Sequence, residues 1–428
     1  MGVLVLKAAI AAACAGAAII AARSRAIGRL SSRDFDRLSL TALLASRLGL
    51  FAVVFLLAGM EPTSDVETVY FPQALAALHG SVPYRDFATS YAPLFPYVAA
   101  LPVAIWRSAK SLVLFAVLAD VLNCLIWRAI ARAVFDAHRA RLAIVLYICS
   151  PIALLNVALD GQNQVLVSLL IGGSILALAR KRYILAGALF GFAFGAVKLL
   201  AALFAPPIWA AAGSRRRWSA AALIVIAAVF GAAAAAGADI LMPARLEAGL
   251  ATSGNLPYLL GGASGLRPAP HMIQAALAAA CIGLAAAMLA LHKRSPGELD
   301  VSAWIAAFLL LFMTLSSKSY TNYIEMFLCP LIVGVVPLLS RARSVCLFAV
   351  FEAVAALEPS LWFRWMAQGD LRSAFGSATG VLNVGRVVIF ALTDLFLVVG
   401  YITIFMLLFR GLLRRSDNRD SLGPKADR

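Results

Sequence analysis

Near-continuous apolar stretches of about twenty residues, among them 40–60, 218–236 and 272–291, constrain this chain more than any other feature. An α-helix rises about 1.5 Å per residue, so a run of that length crosses a hydrocarbon core of about 30 Å. Inside lipid every backbone N–H and C=O needs a partner within the protein. These runs lack the alternating polar face of a barrel strand, so the chain satisfies its backbone as helices. Composition agrees: of 428 residues 62% are hydrophobic and only 14% charged, with a mean hydropathy of +0.89. The expected fold is all-α, a polytopic integral membrane helical bundle of about 12–14 transmembrane segments. It is expected to form a single multispanning membrane domain over residues 1–415, with a polar cytoplasmic tail at 416–428.

A formal net charge of +16 raises the question of nucleic acid. The basic residues, however, are dispersed as short clusters between apolar runs and form no stripe, so no nucleic-acid partner is expected. Placed on the cytoplasmic side, those clusters fix orientation. Cys14, Cys124, Cys149, Cys281, Cys329 and Cys346 all sit within apolar runs with no paired ligand spacing, which reads as small core residues. His138 and His292 lie in basic loops, and no histidine cluster would cage a metal.

The first apolar run, 2–22, is followed directly by Arg23, Arg25, Arg29, Arg33 and Arg37. Positive charge after the run predicts a retained helix with its N-terminus outside. The run 40–60 then delivers residues 61–91 to the outer face. From the other end, Arg410, Arg414 and Arg415 are inside, as are Arg341/Arg343, His292/Lys293/Arg294 and Arg215/Arg216/Arg217. That alternation puts loops 237–271, 316–323 and 358–380 outside. Between Arg180/Lys181/Arg182 and Arg215/Arg216/Arg217 about thirty mostly apolar residues leave and return to one side, predicting a hairpin of two short helices with Lys198 near its outer tip. The short run 92–106 carries Pro93, Pro96 and Pro102 and is expected to follow an interfacial or re-entrant path.

A loop joining two helices needs only a few residues, yet 61–91 is about thirty long. It holds Ser64-Asp65-Val66-Glu67, Tyr70-Phe71, Gly80-Ser81-Val82-Pro83-Tyr84-Arg85-Asp86 and Tyr91-Ala92-Pro93-Leu94. In this order the motifs resemble the integral-membrane glycosyltransferase C superfamily, most closely glycosyltransferase family 87 and other polyprenyl-phosphate-mannose dependent mannosyltransferases. In those enzymes an acidic residue after an early membrane helix precedes an aromatic stretch, a Gly-x-x-Pro-Tyr turn and a Tyr-x-Pro-Leu helix start. Asp160-Gly161-Gln162-Asn163-Gln164 is similar to a Gly-Gln-x-Asn patch of family 87, Lys198 follows a Gly-rich helix, and Lys318-Ser319-Tyr320-Thr321-Asn322-Tyr323 forms a further polar patch. All four fall on the predicted outer side.

The resemblance implies a membrane glycosyltransferase moving mannose or another hexose or pentose from a polyprenyl-phosphate donor to a lipid or glycan acceptor. The active face would be periplasmic or extracellular, in a membrane of bacterial inner (plasma) type. A phosphate leaving group needs no general acid, so one carboxylate suffices, unlike the two of glycoside hydrolysis. Asp65 takes that place, with Glu67 and Asp86 as weaker candidates for the acceptor hydroxyl. The simplest structural alternative has Asp65 merely ending a helix at the interface.

Lys198, Arg267 and Lys318 are candidate phosphate ligands, although a lysine such as Lys198 also snorkels to the interface. Asp160, Gln162 and Asn163 are candidates for sugar hydroxyls or a water-facing helix cap. Tyr70, Tyr84 and Tyr91 are candidate binding aromatics, against the interfacial belt that is the ordinary use of such residues, and Tyr320 is a further candidate for substrate binding. Arg85 and Asp86 equally suit a local ion pair. No cofactor is evident, and a loop carboxylate beside a lipid phosphate would accommodate a divalent cation. The competing reading is a polytopic transporter or lipid-linked-sugar flippase, for which Asp120, Glu325, Glu352, Arg386 and Asp394 lie in or beside apolar runs.

Overall fold

The computed structural model describes residues 2–247, 250–264, 269–291, 296–367 and 369–421. Arg267 and the His292/Lys293/Arg294 cluster lie outside the described residues. The described residues are mainly helical, with no β-strand among them beyond one isolated bridge at Pro83 and Phe87. Among the described residues, eight helices are long and apolar enough to cross a membrane, or nine if the bent pair Ala137–Ile148 and Ala153–Leu159 counts as one span. Five shorter apolar helices, such as Phe95–Ile105 and Tyr183–Ala196, account for the higher count expected from hydropathy. Phe95–Ile105 has 11 residues, about 16 Å of helix, which is well short of the hydrocarbon thickness.

Local sequence sets the helix starts. Ser31 accepts from the Asp34 N–H at 3.1 Å, Ser108 from Lys110 at 3.2 Å, and Asp136 from His138 and Arg139, each at 3.0 Å. Each side chain satisfies an amide that the first turn leaves without a partner. Small residues set the packing, because lipid supplies no hydrophobic drive between helices and close backbone approach must do the work. Tyr183–Ala196 lays Gly187, Gly191 and Gly195 against the helix Arg215–Ala235. A Cβ at Gly187 would stand 2.1 Å from the Trp218 carbonyl oxygen, and one at Gly191 2.8 Å from that of Ala222. This contact fixes the short helix whose end presents Lys198.

The bundle interior holds a fully buried, compensated charge pair. Arg47 and Asp120 are both fully buried and meet at 2.9 Å, and Arg47 also donates to the Ile148 carbonyl at 2.8 Å. Tyr147 donates to the other Asp120 oxygen. Such a pair persists in a low-dielectric interior only with its remaining hydrogen bonds met.

Two predicted cytoplasmic segments meet at one end of the bundle. Asp36 pairs with Arg128 at 2.7 Å and with Arg132. Arg141 donates to the carbonyls of Ile27 at 2.7 Å and Leu30 at 2.8 Å.

Candidate functional site

The helix Ser32–Phe51 ends by widening into a π-helical turn at Ala52–Leu57, and a second π-turn, Val66–Tyr70, follows. Segments of this kind are frequent at functional sites. Between them Ser64 takes a positive φ of 64°, a strained conformation for a residue with a Cβ. The Thr68 N–H and hydroxyl both bond the Ser64 carbonyl, at 3.2 and 3.0 Å. Asp65 is thereby held at the start of the π-turn, half-buried, while Glu67 one step on is exposed.

Four separate stretches of sequence come together at Asp65. Tyr70, fully buried, places its hydroxyl 3.5 Å from Asp65 Oδ2 and 3.3 Å from Gln162 Oε1. The Tyr91 hydroxyl lies 3.2 Å from that of Tyr70, and their rings meet edge to face at 5.2 Å. The backbone then joins the loop end to the Lys198 segment, since Ala92 and Leu94 donate to the carbonyls of Val197 and Gly195 at 3.4 and 3.2 Å. Lys198 has extended backbone between two short helices. Its ammonium sits 4.0 Å from the centre of the Tyr323 ring and 5.6 Å from that of Tyr91, where ring faces attract a cation. Tyr320 packs edge to face on Tyr323 at 5.6 Å.

Gly161 makes the second of these contacts possible. It has a φ of +60°, and a Cβ there would stand 2.7 Å from Val66 and 3.0 Å from Val113. With glycine, the 160–164 turn packs directly on the π-turn and Gln162 reaches Tyr70. Asn163 is buried, and its amide has no partner among the described residues. It lines a cavity of about 20 Å³ with Tyr70 and Phe95, the size of a single water.

A larger cavity of about 410 Å³ adjoins Lys198. Lys198, Lys318 and Glu247 supply its charge, and Leu199, Leu203, Leu277 and Phe312 supply apolar wall. Lys318 pairs with Glu247. Burial pushes the Lys198 ammonium down to about 7, while Asp65 and Glu247 pull it upward and Lys318 adds to the lowering. Partial desolvation disfavours the charged form, and an incoming anion would restore it.

Other predicted residues stand apart from this convergence. Tyr84 takes a positive φ of 68° and donates its buried hydroxyl to the Tyr91 carbonyl, with burial raising its pKa. Arg85 and Asp86 pair with each other at 2.8 and 2.9 Å, and Arg85 reaches the Ala236 carbonyl at 3.0 Å. Hydrogen bonds from Arg85 and the Val82 N–H hold the Asp86 carboxyl down at about 2. Asp160 pairs with Lys7 at 2.8 Å.

Lys7, Glu247 and Tyr323 were not singled out by sequence reasoning as site residues. Lys7, an isolated cation in the first apolar run, carried a usable signal, because such a charge requires a partner or water. Glu247 carried none, for its pairing with Lys318 joins segments far apart in the chain. Among the described residues no group of three or more His, Cys, Asp or Glu side chains is placed to hold a metal ion.

The arrangement offers a carboxylate with no ion pair among the described residues, hydroxyls linked to it, and a cation-lined cavity with an apolar wall. A model of glycosyltransferase family 87 matches residues 87–317. No curated protein and no solved structure matches the chain.

Proposed function

Because the chain belongs to glycosyltransferase family 87, and is thereby a membrane glycosyltransferase, we propose that it moves mannose or another hexose or pentose from a polyprenyl-phosphate donor to a lipid or glycan acceptor. One observation carries this reading. A half-buried Asp65, in no ion pair among the described residues, stands in a connected set of side chains with Tyr70, Tyr91 and Lys198, beside a cavity of about 410 Å³ that combines lysines with apolar wall. A polyprenyl phosphate needs that combination, an apolar channel for the chain and positive charge for the headgroup.

Asp65 accepts the proton of the acceptor hydroxyl as that oxygen attacks the anomeric carbon. The bond from that carbon to the phosphate oxygen breaks, and Lys198, with Lys318 beside it, stabilises the departing phosphate. The leaving group is already a weak base, so no second carboxylate is required. Gln162 holds the Tyr70 hydroxyl, and Tyr91 stands between Tyr70 and Lys198, so these side chains position the base and the cation relative to each other. Asn163, Tyr320 and Glu67 border the convergence and are assigned to substrate contact. Arg85, Asp86 and Tyr84 are assigned to the turn that shapes the loop, and Asp160 with Lys7 to anchoring the 160–164 turn.

The active end would face the periplasm or exterior of a bacterial inner membrane. The contact between segments 23–37 and 128–141 supports this orientation, because it gathers basic residues that topology rules assign to the cytoplasm. The deciding measurement is sugar transfer from a polyprenyl-phosphate donor by purified Asp65→Asn protein whose elution and melting match the parent. Retained turnover removes Asp65 as the base. Impermeant labelling of cysteines placed at 65, 162 or 320 reports the face.

A transport reading draws on Glu325, a fully buried carboxyl whose oxygens have no hydrogen-bond partner among the described residues, and on the fully buried Glu352. Movement of lipid-linked sugar by reconstituted protein without any transfer would favour it.

A further inference from the structure

The cavity beside Lys198 holds a carboxylate that the proposed reaction does not use. Among its described lining residues three are charged, Lys198, Lys318 and Glu247. A cavity shaped only to attract phosphate gains from each lysine and loses by placing an anion among them. Glu247 therefore needs a reason of its own.

Local structure does not supply one. Glu247 closes the short helix Met242–Glu247, and the C-terminal end of a helix disfavours negative charge. Arg245, the basic residue of that helix, pairs with Asp239. Glu247 instead reaches Lys318. The backbone around Lys318 is pinned on both sides. Its own N–H donates to the Ser316 hydroxyl at 3.1 Å, the Thr252 N–H donates to the Ser317 carbonyl at 2.8 Å, and the Ser319 N–H donates to the Thr252 hydroxyl at 3.0 Å. The side chains of Lys318 and Glu247 are 12% and 34% exposed. The two can part without stranding a charge in a dry interior, so the pair can yield to a ligand.

Charge then decides what the cavity accepts. Two lysines and one carboxylate leave a surplus of at most one positive charge, and Asp65, close enough to act on Lys198, can only reduce it. A phosphate that joins a lipid to a sugar is a diester with a single negative charge, whereas a diphosphate carries two or more. Against an apolar wall, each negative charge beyond the first would face Glu247 with no cation to offset it.

We propose that Glu247 is a specificity-determining residue: paired with Lys318, it limits the positive charge of the cavity so that a prenyl phosphodiester is accepted and a prenyl diphosphate is turned away. This rests on the reading of that cavity as the polyprenyl-phosphate donor site. Glu247 acts through Lys318 on the headgroup and takes no part in the transfer step.

The test measures binding and not turnover, which separates it from the role of Asp65. Full-length protein in phosphatidylcholine nanodiscs is titrated calorimetrically with farnesyl methyl phosphate and with farnesyl diphosphate, against empty nanodiscs as the blank. The two probes share one chain, so their ratio reports the headgroup. Titration at about pH 6 keeps Lys198 charged, below its value of about 7. The parent should bind the diester more tightly. Glu247→Gln should tighten both probes and shift the ratio toward the diphosphate by roughly tenfold or more, because removing a charge acts in proportion to the charge of the ligand. Glu247→Asp should keep the parent ratio, and so should Asp239→Asn, which removes a carboxylate outside the cavity lining. Glu247→Ser removes the same charge and carries the test if Glu247→Gln does not fold. A parent that binds the diester but shows the same ratio after Glu247→Gln overturns the role of Glu247 and leaves the donor site standing. A parent that favours the diphosphate does the same. Binding of neither probe above the blank removes the donor site itself, and the role of Glu247 with it.

Discussion

Both halves of the 61–91 segment carry a candidate carboxylate, and Asp65 and Asp86 differ in their bonding. In the second half Arg85, Asp86 and Tyr84 satisfy one another and the nearby backbone, and the Asp86 carboxyl is held at about 2. In the first half Asp65 has one long contact, 3.5 Å from Tyr70, and no ion pair among the described residues. A carboxylate whose partners already stabilise its charge is a poor base, whereas one left half-buried with spare capacity can take a proton. Loop acidity alone therefore does not mark the reactive group. What marks it is the bonding that the fold leaves incomplete.

The sharpest way to break this contrast is to exchange the roles. Asp65→Asn should lower sugar transfer by about 10³-fold with melting unchanged. If Asp86→Asn does the same damage, the contrast between the halves is mistaken. Lys198→Gln should raise the donor KM by about ten- to a hundredfold, the cost of losing a charged hydrogen bond to phosphate. In the parent, Lys198 is charged below about pH 7. Above that pH an incoming phosphate must first draw a proton onto it, so the donor KM should climb with rising pH, by up to about tenfold per unit. The Lys198→Gln profile should be flat over the same range, and an identical slope in both proteins would remove Lys198 from phosphate binding.

A smaller effect is expected at Gly161. Gly161→Ala adds a methyl 2.7 Å from Val66 at a φ of +60° and should destabilise by about 2 kcal/mol. Turnover should fall by about tenfold as Gln162 loses its reach to Tyr70, a figure set by the one-ångström misplacement that catalysis tolerates poorly. Arg85→Ala should be the mildest, leaving turnover within about threefold of the parent, since its partner is an exposed neighbour. A loss at Arg85 that rivals Lys198 would move the phosphate site to the second half of the loop.

Much of the plan is legible in the chain, for reasons that are local. Apolar run length implies a helical bundle. Ser31, Ser108 and Asp136 mark helix starts through their own side chains. The glycine spacing at 187, 191 and 195 marks a close helix pair. The hairpin expected around Lys198 corresponds to a break between Tyr183–Ala196 and Leu199–Phe204. The number of crossings was less legible, because hydropathy registers any apolar run while only length separates a span from a half-helix such as Phe95–Ile105.

Sequence by itself determined that the chain lives in lipid as helices, because backbone amides in hydrocarbon need partners within the protein and the apolar runs lack the alternation of barrel strands. Tertiary structure decided which polar residues work together. Lys7 with Asp160, Lys318 with Glu247, Tyr70 with Gln162 and Glu358 with Ser253 and Thr321 are partners separated by tens to hundreds of residues. Pairing of that kind is set by which helix ends pack side by side, and no local pattern of residues encodes it.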